Sequence, residues 1–206
     1  MNLGEWVLDA AVRQADAWHA AGLDLRIGVN VSAHHLQQDD FAARLAERLA
    51  RHPALPAGRI ELEILETAAL EDLSRISRLM ETCRRFGVSF ALDDFGTGYA
   101  SLAYLKHLPA NLLKIDQSFI RDMLSDPEDH AIVQGIVGLA KAFRREVIAE
   151  GVESLAHGQA LLGLGCPLAQ GYCIARPMPA GAVPAWVADW RNPPEWSWPA
   201  PPEERP

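Results

Sequence analysis

The chain has 206 residues, 27 acidic against 19 basic, for a formal net charge of −8. With 49% hydrophobic and 22% charged residues it has the make-up of one ordinary globular domain, neither disordered nor collagen-like. The acidic balance makes long nucleic acid and anionic membrane poor partners by bulk electrostatics, and is compatible with a small phosphorylated ligand held through metal ions.

A helix is expected over 3–21, where Asn2 with Glu5 three residues on resembles a capping box and Gly22 supplies a stop. Its apolar stripe is read as Val7, Ala11, Ala15 and Trp18. The β-branched run RIGVNV predicts a strand over 26–31, and Phe41, Leu45 and Leu49 at spacing four predict a helix. Further strands are expected over 59–65, 88–92, 112–115, 147–149 and 170–174. Between them lie helices over 73–86, closed by Gly87, and over 102–107. A long helix follows over 128–145, with Ile132, Ile136, Leu139 and Phe143 on one side, and another is opened by Ser154 and stopped by Gly165. A helical stretch over 182–190 precedes a Pro-rich tail, 191–206. Its Trp196 and Trp198 are placed to dock on the body or a partner, a mobile end being the simpler expectation.

Strands alternating with helices predict a parallel α/β fold. The strands end in potential ligands: Asn30, Glu63, Asp93 with Asp94, Asp116 and Glu150. Polar residues at the carboxyl ends of successive strands suit a (β/α) barrel. A doubly wound sheet would place a Gly-rich phosphate turn at one switch point, and neither GxGxxG nor a P-loop occurs. A closed barrel of this type has eight strands in about 250 residues. The expectation is therefore a TIM-like (β/α) barrel over 1–190, incomplete with six of its eight strands, the other two belonging on its N-terminal side.

Asp93 and Asp94 are neighbours, and reach one site only if their strand is ending; the following FGTGY supports that exit. Adjacent carboxylates repel unless a cation compensates them, so a divalent metal is one explanation, helix capping or plain solvation the other. Oxygen donors without a His or Cys cluster suit Mg²⁺ or Mn²⁺ better than Zn²⁺. The histidines form no HExxH pattern, and His34 and His35 diverge on a helix, which points to surface or packing roles. Glu61 and Glu63 share a strand face, while Glu66 lies beyond the strand, in reach of the loop after Asp94. Lys114 is the basic residue among these acids, and a structural ion pair with Asp116 is its simplest alternative role. Cys83, Cys166 and Cys173 show no CxxC spacing, so a reducing, cytoplasmic setting fits. No run approaches about 18 apolar residues, and no basic-then-apolar leader opens the chain.

The segments LDDFGTGYASL (92–102), LKIDQSFI (113–120), VIAEGVE (147–153) and QGYCIARPMP (170–179), with NVS at Asn30 and ELEILE from Glu61, resemble the bacterial EAL domain. That resemblance implies a cyclic di-GMP phosphodiesterase that opens its substrate to linear pGpG on a (β/α) barrel with two Mg²⁺ or Mn²⁺ ions. By position it makes Asn30, Glu63 and Asp93 ligands of one ion, and Asp93, Asp94 and Glu150 ligands of the other. It has Lys114 hydrogen-bond the attacking water, with Glu150 alternatively the general base and Gln170 close to that water. It assigns Asp116 and Glu153 to the substrate and its surroundings, and Glu66 to anchoring the loop that follows Asp94, a segment tied in the family to metal binding and dimerisation.

The sequence departs from the family pattern in places. No Glu-Ala-Leu tripeptide occurs, although its glutamate is a metal ligand in the family; Ala100 stands where serine is common, and Leu65 where threonine is usual. The expectation is an N-terminally truncated EAL domain, with an upstream sensory or GGDEF domain compatible with it. The alternatives are a non-catalytic EAL-like module that binds cyclic di-GMP or a protein, and an unrelated Mg²⁺-dependent barrel enzyme. An opened barrel exposes strand edges, so homodimerisation is also expected.

Overall fold

The computed structural model describes residues 3–66, 73–98 and 102–196. Helix α1 (Leu3–Ala20) leads into strand β1 (Ile27–Asn30), the short helix α2 (Ala33–Leu36) and α3 (Phe41–Ala50). Then come β2 (Ile60–Leu65), α4 (Leu73–Arg84), β3 (Ser89–Phe95), α5 (Leu102–His107), β4 (Leu112–Ile115), α6 (Gln117–Asp122) and α7 (Pro127–Ala142). The last elements are β5 (Glu146–Ala149), α8 (Leu155–Leu164), the two-residue β6 (Leu168–Ala169), a 3₁₀ turn at Ala180–Ala182 and α9 (Val183–Asp189).

All six strands are parallel and pair in sequence order, β1 to β6. The sheet is curled. Arg26, just before β1, bonds both Glu61 on β2 at 3.1 Å and Glu146 on β5 at 3.3 Å. In a flat sheet β1 and β5 would stand about 19 Å apart, four spacings of about 4.8 Å, beyond the reach of that pair. The result is an open (β/α) barrel, in agreement with the sequence reading, and among the described residues β1 and β6 each pair on one side only.

The outward faces of the strands make the core. Leu62 and Ile64, Phe90 and Leu92, Leu113 and Ile115, and Val147 and Ala149 pack under the helices, which bury Leu8, Val12, Phe41, Leu45, Ile76, Met80, Val133, Ile136 and Leu161. Alternation leaves the intervening residues, Glu61 and Glu63, Ala91 and Asp93, and Leu112 and Lys114, on the concave face. Local signals explain several helix ends. Ser154 caps α8 through the His157 amide and Gly165 stops it at φ +92°, while Asp126 caps α7 ahead of Pro127.

Several expectations need correction. The buried stripe of α1 is Leu8, Val12 and Ala15, rotated from the one read in sequence, because the helix also turns Glu5 inward to His35 at 2.6 Å and Arg48 at 2.7 Å. Glu5 therefore spends its carboxylate on α2 and α3; Asn2, its expected capping partner, lies outside the described residues. On α7 the buried set is Val133, Ile136, Val137 and Ala140, and Ile132 is exposed. The last strand ends before Gln170, since 171–175 fold into a turn with Ile174 and Ala175 amides on the Gly171 carbonyl. Trp196 is held against the body: its indole N–H donates to the Leu155 carbonyl at 3.0 Å, and its ring fills the space over Gly158. Trp198 lies outside the described residues.

Candidate active site

The carboxyl ends of β2 to β5 converge on one ammonium. Lys114 donates to Glu63 at 2.7 Å, Asp93 at 2.8 Å and Glu150 at 2.8 Å, with 6% of its side chain exposed. Small Ala91, in register with Glu63 on one side and Leu112 on the other, is fully buried on the same face. Burial works against the lysine charge, but the bonds to Asp93, Glu150 and Glu63 outweigh it and raise its pKa. Burial also pushes the Glu150 carboxyl up; Lys114 opposes this, and the charges of Asp93 and Glu63 add to it.

Asp93 and Asp94 reach the same site by a route the sequence did not foresee. Strand β3 continues to Phe95, but its register with β4 shifts between Leu92 and Phe95, and Asp94 takes a left-handed φ of +52°. That irregularity turns two consecutive side chains toward one place, which regular alternation forbids. Burial and the charges of Asp93 and Asp116 push the Asp94 carboxyl above the ordinary carboxylate range, with Lys114 opposing. Asp116 is held low despite its burial, chiefly by the hydroxyl and amide of Ser118. Lys114 does not pair with Asp116 as the simpler alternative had it, because Asp116 caps α6 through the Ser118 amide at 2.9 Å. The Asp-x-Ser spacing was the available sign of that cap.

The donor set fits a hard divalent cation. Carboxylate oxygens of Asp93, Asp94 and Glu150 all lie within 4.8 Å of one another, and Glu63 joins them through Lys114. Asn30 ends β1 in register with Glu63 and is exposed. Beside the acids opens a cleft of about 490 Å³ lined by Gln117, Glu150, Gly151, Glu153, Gln170 and Tyr172. Glu153 and Gln170 are exposed there, and Arg176 stacks 4.6 Å above the Tyr172 ring. Gln117 and Tyr172 had no sequence signal beyond lying near the acids. Glu66 is buried and accepts the Gly96 amide at 3.0 Å, and a Cβ at Gly98 would lie 3.0 Å from its Cδ, so both glycines fit around that carboxylate. Residues 99–101 lie outside the described set. A hollow of about 600 Å³ lies at the opposite end of the strands, between α3 and the end of α4, away from this chemistry.

The family model described as "EAL domain" matches residues 1–177. The chain is 42% identical over 189 residues to the bifunctional diguanylate cyclase/cyclic di-GMP phosphodiesterase MucR of Pseudomonas aeruginosa, covering 91% of this chain and 27% of that protein. It is 37% identical over 188 residues to the cyclic di-GMP phosphodiesterase PA2567 of the same organism, covering 91% and 31%. The chain thus spans about a quarter to a third of the length of these relatives. Among solved structures, the PaMucR phosphodiesterase in complex with c-di-GMP superposes with a TM-score of 0.84 at 41% identity, covering 88% of this chain and 73% of that one. The EAL domain of Mycobacterium smegmatis DcpA gives a TM-score of 0.86 at 36% identity, covering 93% and 86%.

Proposed function

The chain belongs to the EAL domain family, and from that premise we propose that it hydrolyses cyclic di-GMP to linear pGpG with two Mg²⁺ or Mn²⁺ ions. The observation that carries this reading is the triad of Asp93, Asp94 and Glu150 oxygens within 4.8 Å, beside Lys114 and at the mouth of a polar cleft. Asn30, Glu63 and Asp93 are assigned to one ion and Asp93, Asp94 and Glu150 to the other, with Asp93 shared. Ions so held would activate a water near neutral pH and would offset charge on the attacking and leaving oxygens of an in-line displacement.

The chain's own groups then have distinct tasks. Lys114 donates toward the attacking water and offsets phosphate charge. Alternatively Glu150, held 2.8 Å from the Lys114 ammonium, accepts a proton from that water as general base. Gln170 orients the water from the cleft rim, Asp116 and Glu153 set the surroundings of the substrate, and Glu66 fixes the loop after Asp94. The domain is read as 1–190 with 191–206 as its tail. It acts in the cytoplasm, a setting that three free cysteines suit, as a homodimer and joined to a sensory or GGDEF domain.

One observation favours a second reading: no Glu-Ala-Leu occurs within these 206 residues, so they supply only Asn30, Glu63 and Asp93 to the first ion. The chain would then bind cyclic di-GMP or a protein without turning the nucleotide over. Incubating the folded protein with cyclic di-GMP, with and without Mn²⁺, and resolving nucleotides by mass separates the two. Mn²⁺-dependent pGpG supports hydrolysis; nucleotide retained on the protein but intact supports the binding module.

A further inference from the structure

Gly28 sits on the concave face of β1, and its backbone gives no reason for a glycine. It is absent from the left-handed positions, which among the glycines are 22, 58, 87, 96, 151 and 165. Glycine in a strand interior costs stability and offers nothing to pack, so it often marks a place where another group approaches closely. That group is Glu63. A Cβ at residue 28 would lie 3.6 Å from Cγ of Glu63, 2.9 Å from its Cδ, and closer still to its Oε1.

The other oxygen of the same carboxylate, Oε2, is the one bonded to Lys114 at 2.7 Å. Glu63 is therefore laid against β1 by one oxygen and directed into the acid cluster by the other. We propose that Gly28 is a positioning residue: its missing side chain sets the pose of the Glu63 carboxylate, and so the geometry offered to Lys114 and to a divalent ion. The metal half of this inference rests on the phosphodiesterase reading; the pose of Glu63 does not.

The test is Gly28→Ala in the full chain. The obstructing atoms are the end of a flexible side chain, so the fold accommodates the methyl group and the carboxylate turns away from Lys114. In chelator, the urea midpoint falls for Gly28→Ala in the parent. In a Glu63→Ala background the same change leaves the midpoint equal or higher, because alanine outdoes glycine in a strand once nothing opposes it. Mn²⁺ affinity measured by calorimetry falls tenfold or more with Gly28→Ala. An equal midpoint loss in both backgrounds overturns the proposal, as does unchanged Mn²⁺ affinity in the variant. A parent that binds no Mn²⁺ overturns the metal half and the phosphodiesterase reading with it, while the comparison of backgrounds still decides the pose.

Discussion

Replacing Lys114 with methionine keeps the aliphatic length and removes the charge that three acids share. Glu63, Asp93 and Glu150 each lie 2.7–2.8 Å from the ammonium, with side chains 11–17% exposed. Breaking a buried ion pair by deleting one partner costs about 3–5 kcal/mol, because the remaining charge stays desolvated. At about 2–4 °C per kcal/mol for a protein of this size, the metal-free Tm should fall by about 10 °C. A divalent cation then replaces what was lost. Parent protein gains about 2.7 kcal/mol at a hundredfold excess of Mn²⁺ over Kd, and the variant should gain more, since its acids no longer have a cation of their own. Scanning calorimetry in chelator and in Mn²⁺ reads both quantities. A variant Tm within about 2 °C of the parent in chelator, or equal Mn²⁺ increments in the two proteins, would refute the reasoning.

Three further perturbations have signs fixed by the structure. Asp94→Asn should raise the metal-free Tm at pH 7, because the folded-state pKa of Asp94 is raised and parent stability falls as pH climbs from the ordinary carboxylate value through the raised one. Asparagine tolerates φ +52°, so the backbone is kept, and the advantage should vanish in melts near pH 3. Glu5 behaves in the opposite sense: despite its burial, bonds to Arg48 and His35 hold its pKa low, so its contribution is present above the ordinary carboxylate pKa and lost as pH falls through the lowered one. Glu5→Gln should cost about 2 kcal/mol in urea titrations at pH 7, with the gap closing in acid. Gly158→Val should expel the Trp196 ring, whose Cζ2 lies 2.6 Å from where a Cβ would stand, giving a red-shifted tryptophan emission and a loss of about 1–2 kcal/mol.

Residues whose role follows from local spacing were legible in the chain. The strand–helix alternation, the helix ends at Ser154 and Gly165, and the placing of Asn30 at the end of β1 and Glu150 just after β5 all rest on periodicity, capping and register, which act over a few residues. What escaped depends on contacts between distant segments. The rotation of α1 is set by Glu5 meeting His35 and Arg48, 30 and 43 residues away. The partners of Lys114 come from three other strand ends and replace the near neighbour Asp116 that spacing favoured. The paired aspartates look like a strand terminus in sequence; only the register shift of β3 and the left-handed Asp94 reveal how both face one site. Gly28 reads as an ordinary weak point in a strand until the carboxylate lying over it is seen.

The most direct measurement is turnover of cyclic di-GMP in ¹⁸O-labelled water with Mn²⁺, by the parent chain and by Glu150→Gln. The account predicts pGpG carrying one ¹⁸O on its terminal phosphate from the parent, none without metal, and a rate at least a hundredfold lower for the variant, on the order of what a positioned general base contributes. Cyclic di-GMP left intact by folded, Mn²⁺-loaded parent protein, or pGpG formed equally well by Glu150→Gln, would contradict it.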